Sequence, residues 1–476
     1  MTANQSIKKA YEFAALSLTG KKRYSGESFE DHGLKVAEIL QSFDVNDPTT
    51  LVVAVLHHCV EDGAATYKDV EGEFGYEVAS MLKTLAGLKI IKLTNAQQQQ
   101  QYVESLRKMF LYLAKDLRIV LIKLGDVLDN LRTLQYIPKY RQKDVAKQAL
   151  EIFAPLVERL GIGELKGKMQ DLAFPFVLPE DYMATKKLLK VTQQRLNKRS
   201  QKIKSAVVQI LTTEKIPFRI ESRSKHLYSL YMKLKRSDIA FDISKVYDLM
   251  AFRIIVKTTE DCYRVLGLIH NIWKPVPNRL RDYIASPKPN GYRSIHTTVF
   301  GPNNEPFEIQ IRTRLMHEDA EYGIAAHWHY DESKLNISSG EELNKGIVMD
   351  KEKLAWVLNL RKWQEEITDN DEFLKSIKTD FFGPRIFVLT PKGEIKDLPE
   401  GATPIDFAYL IHTTLGDKAV GAKVNSKLVP LSHKLNSGDV IEILASKDRS
   451  KKPSRDWLYF VMTAYAKKKI KYSLSK

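Results

Sequence analysis

The sequence predicts a multidomain protein of α and α+β class, with an all-helical domain first, a mixed α/β domain next and a small α+β domain last. Three observations predict this order. The chain has 476 residues, about three times the roughly 150 residues of one ordinary domain. Apolar residues recur at helical spacing up to about residue 175. Short strand-like runs appear beyond about residue 195.

Composition limits the environment and the partners. Hydrophobic residues make up 43% and charged residues 28%, and no apolar run reaches the ~18 residues of a membrane helix. With no secretory signal in the opening MTANQSIKKAYEF, we expect a cytoplasmic protein without a membrane partner. The net charge of +16 favours anionic partners such as nucleotides, RNA or phosphate-rich surfaces, and charge alone does not separate these.

The two cysteines, Cys59 and Cys262, cannot form a disulfide framework and have no cysteine partner at metal-binding spacing. We therefore expect both thiols in or near cores.

The helical domain is predicted over residues 1–175, from runs such as LVVAVLHHCV, YVESLRKMFLYLAK and LRIVLIKLGDVLDNLRTL. A basic helical linker over 176–195 leads into the mixed domain at 196–345, where AFRIIV and FEIQIRT have the texture of strands. A second helical linker is predicted over 346–382. The small domain at 383–446 shows a hairpin with a Pro-Lys-Gly turn and then a helix, and a basic tail at 447–476 ends on a helix.

The run FEIQIRT carries polar chemistry on one side of a strand. Alternation directs Phe307, Ile309 and Ile311 to one face, and Glu308, Gln310 and Arg312 to the other. The polar face either lines a cleft or belongs to a plain half-exposed strand.

Upstream, ESRSKHLYSLYMKLKR offers a set of phosphate-binding donors, or alternatively a basic surface helix. The set comprises Arg223, Lys225, Ser229 and Lys233. Asp248 precedes the apolar run AFRIIV and so lies near a strand end, where ligands bind in α/β folds. Together with Glu308 it predicts a carboxylate pair for Mg²⁺, which prefers oxygen ligands and substrate phosphates.

The stretch RLRDYIASPKPNGYRSIH adds further cations and an aromatic ring: Arg279, Arg281, Lys288 and Tyr292. The Pro-Lys-Pro-Asn segment favours a rigid extended backbone. Gly291 permits an unusual φ before Tyr292, whose ring can stack on a base.

These motifs resemble the synthetase domain of the RelA/SpoT-type alarmone synthetase/hydrolase family, which has a nucleotidyltransferase-like fold. The matching runs are YDLMAFRIIV, DCYRVLGLIHNIWKPVPNRLRDYIASPKPNGYRSIHTT, FEIQIRT and MHEDAEYGIAAHWHY, over about 220–330. The resemblance implies a GTP diphosphokinase that transfers the β,γ-pyrophosphate of ATP to the 3′-hydroxyl of GDP or GTP, making (p)ppGpp.

By this resemblance, Tyr292 stacks on guanine, while Asp248 and Glu308 serve Mg²⁺ and the attacking hydroxyl. Arg223, Lys225, Ser229 and Lys233 are then expected to meet ATP. Further substrate-binding positions of the family motif are filled by Arg279, Arg281, Lys288, Asn290, His296, Gln310 and Arg312. Bifunctional members usually have Arg-x-Lys-Asp where this chain has Arg279-Leu-Arg281-Asp282, so the charge is kept and the bifunctional subclass is favoured.

A second candidate site lies in the helical half. In LVVAVLHHCVEDG, helical spacing places His57 with Glu61 and His58 with Asp62 on adjacent faces. His32, and the pair Asp126 and Asn130 in KLGDVLDNLRTL, could join them. Converging imidazoles and carboxylates suit Mn²⁺, Fe²⁺ or Zn²⁺. Taken singly, any of these histidines would more often be a satisfied core or surface residue, whereas the joint set is much less easily explained in that way.

The runs RYSGESFEDH, HHCVED and IKLGDVLDNLRTL resemble the HD-type hydrolase domain of the same family, over about 20–135. The resemblance implies a guanosine-3′,5′-bis(diphosphate) 3′-diphosphatase that uses Mn²⁺. The expected metal ligands are His32, His57, His58 and Asp126. The expected catalytic carboxylates are Glu61 and Asp62, and the expected substrate contacts are Arg23, Ser25 and Asn130.

Three positions depart from the HD pattern. His58 stands where the family has aspartate, and Val127 and Asp129 stand where it usually has arginine and histidine. A neutral ligand in place of a carboxylate weakens binding of a hard cation such as Mn²⁺ and favours a softer divalent metal. Two alternatives follow for this half: a hydrolase with an altered metal preference, or a structural or regulatory domain.

The segment 385–446 resembles a TGS domain, a small β-grasp module. The resemblance implies contact with uncharged tRNA on the ribosome, with His412 near the tRNA end, whereas the plain alternative is a packing module. The rival to a synthetase as a whole is an RNA- or ribosome-associated stress regulator with catalytically silent domains. The dense polar set from Arg223 to Arg312 favours the enzyme.

Overall fold

A computed structural model describes residues 3–88, 96–288, 290–323, 370–377, 379, 382–383, 385–448 and 450–475. The chain divides into two compact units, residues 1–357 and 358–476. Each unit is described by itself.

The first part of the N-terminal unit is helical in the described residues. Its α-helices are α1 (Ala3–Ser17), α2 (Phe29–Gln41), α3 (Pro48–Glu61), α4 (Tyr67–Phe74), α5 (Tyr76–Ala86), α6 (Ala96–Lys115), α7 (Leu117–Arg132), α8 (Lys139–Gln148), α9 (Ala154–Arg159), α10 (Gly163–Val177) and α11 (Pro179–Thr213). A short 3-10 helix at Leu134–Tyr136 and a π-helical turn at Ala149–Phe153 lie between them.

Helix α3 is the centre of this part, and local sequence signals fix where it begins. The Asp47 side chain accepts a hydrogen bond from the Thr50 N–H, and Pro48 occupies the first turn. Every residue from Thr50 to His57 is buried. Helix α2 can approach α3 closely because residue 33 is a glycine. A Cβ at Gly33 would lie only 2.3 Å from the Val55 carbonyl oxygen. This close approach places the polar ends of α2 and α3 side by side.

The rest of the described N-terminal unit is a mixed sheet with helices. Its strands are β1 (Phe218–Ser224), β2 (Met250–Val256), β3 (Arg281–Asp282), β4 (Ile295–Phe300) and β5 (Pro306–Thr313), in the order β1-β2-β5-β4-β3. Its further helices are α12 (Leu227–Leu234), α13 (Thr259–Ile272) and α14 (Arg314–Tyr322), with short 3-10 turns at Ile243–Lys245 and Pro302–Asn304. Strands β2 and β5 are parallel, and the other described pairings in this sheet are antiparallel.

The sheet is apolar on one face and polar on the other. Phe307, Ile309 and Ile311 are fully buried in a core that includes residues of α11 and α13. The predicted alternation of β5 is confirmed. Its polar face is not half-exposed, however, because Gln310 is 4% and Arg312 1% exposed. Helix α14 packs at this side, and its Glu321 lies 3.5 Å from Arg312.

The C-terminal unit is a small α+β fold. It contains α15 (Asn370–Ser376), β6 (Arg385–Leu389), β7 (Ile395–Pro399), α16 (Pro404–Ile411), α17 (Thr413–Asp417), β8 (Ala419–Val424), β9 (Lys427–Val429), β10 (Ile441–Ala445), α18 (Trp457–Phe460) and α19 (Ala464–Ser475). Strands β6 and β7 form the predicted hairpin, and β10, β8 and β9 form a three-stranded sheet.

The basic tail packs onto this unit. Ala466 and Ile470 of α19 share a core with Ile405 and Tyr409 of α16. Asp406, buried in α16, accepts hydrogen bonds from the backbone N–H groups of Met462 and Thr463. A buried carboxylate with several donors is well satisfied, so this contact fixes the start of α19.

The predicted fold class is confirmed, whereas the domain boundaries stay predictions. Helix α11 runs unbroken through residue 196, so the proposed linker and the first turns of the proposed mixed domain form one helix. Residues 346–369, most of the second predicted linker, lie outside the described residues.

The expectation for the cysteines is confirmed, since Cys59 and Cys262 are both buried. Burial raises the pKa of each thiol to about 12. Among the described residues, no helix combines the length and apolar character needed to cross a membrane.

A half-buried histidine joins the helical part to the sheet part. His226, just before α12, places Nδ1 2.8 Å from an Asp171 carboxylate oxygen and Nε2 3.9 Å from Glu164 on the same helix, α10. Its ring covers Gly167, where a Cβ would lie 2.1 Å from the imidazole. The carboxylates of Asp171 and Glu164 raise the pKa of His226 to about 9.

We predict that this contact makes stability pH-dependent. Because the folded-state pKa is raised, the contribution is complete below about pH 6.5 and is lost as pH rises through about 9. Its size is on the order of 2 kcal/mol, allowing for partial exposure. Urea unfolding at pH 6.5 and 9.5 should show this loss in the wild type and a smaller loss in His226→Asn, which keeps a donor at the Nδ1 position. The same pH dependence in both proteins would contradict the assignment.

Candidate active sites

Asp248 and Glu308 line one pocket of the N-terminal unit. The parallel register pairs Ala251 at the start of β2 with Glu308 on β5, and Asp248 precedes β2 by two residues. The two carboxylates are therefore brought to the same edge of the sheet although they are 60 residues apart in the chain. The predicted convergence of these two acids is present in the structure.

Cations surround Asp248. Lys225, just after β1, pairs with one carboxylate oxygen, and Lys233 on α12 lies 2.7 Å from the other. Burial opposes ionisation of Asp248, but the two ammonium groups outweigh it and hold the pKa of Asp248 below its ordinary value. Asp248 is therefore a carboxylate at neutral pH, and it holds two of the predicted phosphate-binding lysines at the mouth of the pocket.

Glu308 has a different environment. His296 Nδ1 lies 3.4 Å from its Oε1, and the Gln310 amide donates a hydrogen bond of 2.8 Å to the same oxygen. Burial favours the neutral acid, but these two contacts outweigh it and lower the pKa of Glu308. A carboxylate with a lowered pKa stays ionised at neutral pH, so it accepts hydrogen bonds or binds a cation and does not readily take up a proton.

Tyr292 is connected to this group through His296. The Tyr292 hydroxyl lies 2.7 Å from His296 Nε2, which makes a chain from the ring to Glu308. Gly291 has φ +78°, as predicted for the position before the ring. The turn is closed by hydrogen bonds between Lys288 and Gly291 and between Lys288 and Tyr292, and the Lys288 ammonium lies 5.1 Å from the centre of the tyrosine ring.

The other predicted residues of this site lie in the pocket wall, on β1, on α12 and on β3. Arg279 lines the pocket and stacks over Tyr247, with 5.5 Å between guanidinium and ring centre. Arg223 is exposed on β1, opposite Ala251. Ser229 is half-buried on α12. Arg281 donates to the backbone oxygens of Asn278 and Leu280.

Asn290 and Arg312 have different surroundings. Asn290 donates to the Glu158 carbonyl at 3.4 Å, across to α9. Arg312 is buried, with Nη2 3.5 Å from Glu321, and neither its Nε nor its Nη2 has a hydrogen-bond partner among the described residues. Burial lowers the pKa of Arg312 to about 10. No observation assigns a ligand to these two side chains, so their substrate roles stay predictions.

Sequence reasoning missed six residues that line the pocket: Arg236, Asp238, Ile239, Lys245, Tyr247 and Thr298. The first four lie between α12 and β2, where spacing carries no information about the direction of a side chain. Tyr247 directly precedes Asp248, and this adjacency was the available signal.

The second candidate site lies where α2, α3 and α7 meet. His32, His57, His58 and Asp126 each offer a ligand atom, and these atoms all lie within 4.8 Å of one another. The predicted metal-ligand set therefore converges from three helices. The pairing of His58 with Asp62 is also present, at 3.0 Å from Nδ1 to the carboxylate.

All three imidazoles have Nδ1 next to an acceptor. The partner of His32 is Asp129 at 2.7 Å, that of His57 is the Ala54 carbonyl at 2.7 Å, and that of His58 is Asp62. An acceptor at Nδ1 fixes the hydrogen there, so Nε2 carries the free lone pair. Among the described residues, the Nε2 atoms of His32 and His57 are buried without a hydrogen-bond partner. Buried lone pairs without donors are what a metal ion would satisfy, so these residues fit a divalent cation.

Asp126 is balanced by a neighbouring lysine. Lys123 Nζ lies 2.6 Å from one carboxylate oxygen of Asp126 and is itself buried. Burial opposes ionisation of Asp126, but the Lys123 charge and the histidines outweigh it, so its pKa lies well below the ordinary value. Sequence reasoning missed Lys123, although its i, i+3 spacing to Asp126 was a visible signal.

The remaining predicted residues of this site lie close by. Arg23 donates to Asp129 and Asn130, at 2.9 and 2.6 Å. Asn130 also donates to Asp126, and the Ser25 hydroxyl accepts a hydrogen bond from the Glu27 N–H. Glu61 ends α3, and Asp62 follows it. The substrate roles of Arg23, Ser25 and Asn130 stay predictions, as do the catalytic roles of Glu61 and Asp62.

Comparison with known proteins assigns three regions of the chain. Residues 10–163 match the HD domain, residues 222–335 match the region found in RelA / SpoT proteins, and residues 386–445 match the TGS domain. Fold and sites thus define a multidomain protein with HD, RelA/SpoT and TGS regions.

Relatives extend over nearly the whole chain. A GTP pyrophosphokinase of Myxococcus xanthus is 42% identical over 466 residues, 98% of this chain and 60% of that protein. The bifunctional (p)ppGpp synthase/hydrolase RelA of Mycobacterium tuberculosis is 39% identical, over 99% of this chain and 62% of that protein. A guanosine-3′,5′-bis(diphosphate) 3′-pyrophosphohydrolase of Aquifex aeolicus is 39% identical, over 99% and 65%. The chain therefore spans less than two thirds of the length of these relatives, and it belongs to the RelA/SpoT family.

Proposed function

We propose that the sheet part of the N-terminal unit is a (p)ppGpp synthetase, which transfers pyrophosphate from ATP to the 3′-hydroxyl of GDP or GTP. The observation that supports this most is the shared pocket of Asp248 and Glu308, with Lys233 and Arg279 in its wall. Carboxylates for a cation beside cations for phosphates are the parts that phosphoryl-type transfer needs.

The reaction balances without a further co-reactant. The 3′-oxygen forms a bond to the β-phosphorus of ATP as its O–H bond breaks and the proton passes to solvent, the bond between that phosphorus and the oxygen bridging to the α-phosphorus breaks, and AMP leaves. Asp248 and Glu308 would hold Mg²⁺, whose charge offsets that of the phosphates. Glu308, with its lowered pKa, orients the hydroxyl by accepting its hydrogen bond. When ATP binds, Lys225 and Lys233 leave their contacts with Asp248 and contact phosphate oxygens instead.

The chain Tyr292–His296–Glu308 ties nucleobase recognition to this group. A guanine stacked on Tyr292 would place its ribose toward Glu308 through a fixed set of hydrogen bonds. Positioning of this kind lowers the entropic part of the barrier.

We predict that Asp248→Asn and Glu308→Gln each reduce synthesis by at least about 10²-fold, because the charge that holds Mg²⁺ and orients the hydroxyl is lost. The measurement is AMP and (p)ppGpp formation from labelled ATP and GDP with Mg²⁺.

Glu260→Gln, an exposed charge on α13, is the matched control and should retain activity. Melting temperatures confirm that each variant is folded. Normal turnover in a folded Asp248→Asn or Glu308→Gln protein would remove the proposed Mg²⁺ site.

A second prediction concerns Tyr292. Tyr292→Ala removes the stacking surface and should raise the KM for GDP by about 5- to 100-fold, from the usual strength of base stacking. Tyr292→Phe keeps the ring and loses only the hydrogen bond to His296, so its KM for GDP should stay near that of the wild type. Equal KM values in all three proteins would show that guanine does not stack on this ring.

We further propose that the helical part is a metal-dependent (p)ppGpp 3′-pyrophosphohydrolase. The supporting observation is the convergence of His32, His57, His58 and Asp126, in which two imidazole nitrogens are buried without a hydrogen-bond partner in the part of the chain that the structure describes. A divalent metal held there would supply an activated water for phosphoester cleavage. Arg23 and Asn130 lie beside the cluster, where a substrate would be oriented.

The ligand set of three nitrogens and one carboxylate predicts a metal preference. We expect pyrophosphate release from ppGpp with Fe²⁺ or Zn²⁺ to exceed that with Mn²⁺ by at least about tenfold, because imidazole favours the later, softer cations. His58→Asp, which restores a second carboxylate, should shift the preference toward Mn²⁺.

His57→Ala is the negative control for this assay, since it removes a buried ligand. No release with any of the three metals would mean that the helical part is structural or regulatory.

For the C-terminal unit we propose contact with tRNA or the ribosome. The TGS match at 386–445 supports this, as does the exposed His412, which caps the short helix α17 through the Thr414 N–H. A cytoplasmic location is part of the same proposal.

A further inference from the structure

We infer that Asp129 positions His32 for metal binding and supplies the negative charge that position 58 lacks. This inference rests on the metal site proposed above and deepens it. Asp129 is not one of the four candidate ligands. It contacts one of them, His32, at the ring nitrogen that faces away from the cluster.

The first support is the contact itself. Asp129 Oδ2 lies 2.7 Å from His32 Nδ1, and the two residues are 2% and 0% exposed. A carboxylate at this distance accepts the Nδ1 hydrogen, so the lone pair of His32 is left on Nε2. That Nε2 lies 3.3 Å from Asp126, inside the ligand cluster. A carboxylate behind a metal-binding histidine fixes its ring and increases its strength as a ligand.

The second support is a count of charge. The four ligands of this chain carry one formal negative charge, on Asp126, because position 58 is histidine. The family pattern of His-Asp would carry two. At position 129 the change runs the other way, since an acid stands where the family usually has histidine. Asp129 contacts His32 directly, so a carboxylate returns one imidazole away from the metal position, with Arg23 as its second partner.

The third support is that Asp129 is itself held in place. Arg23 donates to the same oxygen, Oδ2, at 2.9 Å, and its guanidinium is anchored by Glu27, Asn130 and Thr133. The carboxylate therefore cannot turn away from His32 without breaking an ion pair. The competing explanation is that Asp129 serves only as the buried partner of Arg23, so a test must separate its two contacts.

The test is metal binding by the full metal-free chain, measured with Co²⁺ and Zn²⁺ against a chromophoric chelator. The wild type should bind one equivalent at the cluster, with a ligand-field absorption band for Co²⁺. Asp129→Asn should bind about 10- to 100-fold more weakly and shift the Co²⁺ band. A purely structural role would leave the band unmoved.

Two matched variants isolate the contact. Arg23→Met removes the other partner of Asp129 but leaves the carboxylate next to His32, so it should weaken metal binding clearly less than Asp129→Asn does. Asp116→Asn makes the same chemical change at the N-cap of α7, 13 residues away and about 20 Å along the helix axis, and should leave affinity and band unchanged. If Arg23→Met weakens binding as much as Asp129→Asn, the positioning role is wrong.

Compensation of charge between positions 58 and 129 is tested with separate variants, which do not require Asp129→Asn to fold. D129H alone should weaken Mn²⁺ binding, and the double variant H58D/D129H should recover at least the wild-type affinity. Failure of the double variant to recover overturns the compensation. If the wild type binds no metal at all, the proposed metal site fails and this inference with it. Wild-type binding with unchanged affinity in Asp129→Asn overturns this inference alone.

Discussion

The parallel pairing of β2 with β5 is the constraint on which the sheet site depends. It places Ala251 opposite Glu308, and Asp248 at the mouth of β2 therefore shares a pocket with Glu308. The lysines follow from the same register, because β1 pairs with β2 and delivers Lys225 to Asp248. A slip of one residue between β2 and β5 would turn the carboxylate of Glu308 into the apolar core.

The two candidate sites hold their functional side chains in place by different contacts. At the sheet edge, buried carboxylates are kept ionised by lysines and a histidine. In the helical part, histidines are oriented by acceptors at Nδ1, two of which are carboxylates. In both places a side chain is held through one polar atom, which leaves its other polar atom for a ligand. Such fixed orientation reduces the reorganisation that ligand binding would otherwise require.

Much of this arrangement was predictable from local patterns. Alternation in FEIQIRT predicted the two faces of β5, and helical spacing predicted His58 beside Asp62. The burial of Gln310 and Arg312 was not predictable, because it arises from the side of the sheet where α14 packs. Nor was the contact of Asp129 with His32, which are 97 residues apart and lie on different helices. Local spacing reports which residues share a face, and it does not report what that face meets.

The unbroken helix α11 has a consequence for dividing the chain. Its first half contributes Leu188 and Leu189, which pack against Leu230 and Leu234 of α12. Its second half contributes Ile203, Val207 and Leu211 to the core beneath the sheet. A fragment that begins at residue 196 would keep the sheet core but strip the apolar cover from α12, the helix that carries Lys233. Cutting before Pro179 instead would leave the helix whole and would keep the contact of Leu188 and Leu189 with α12.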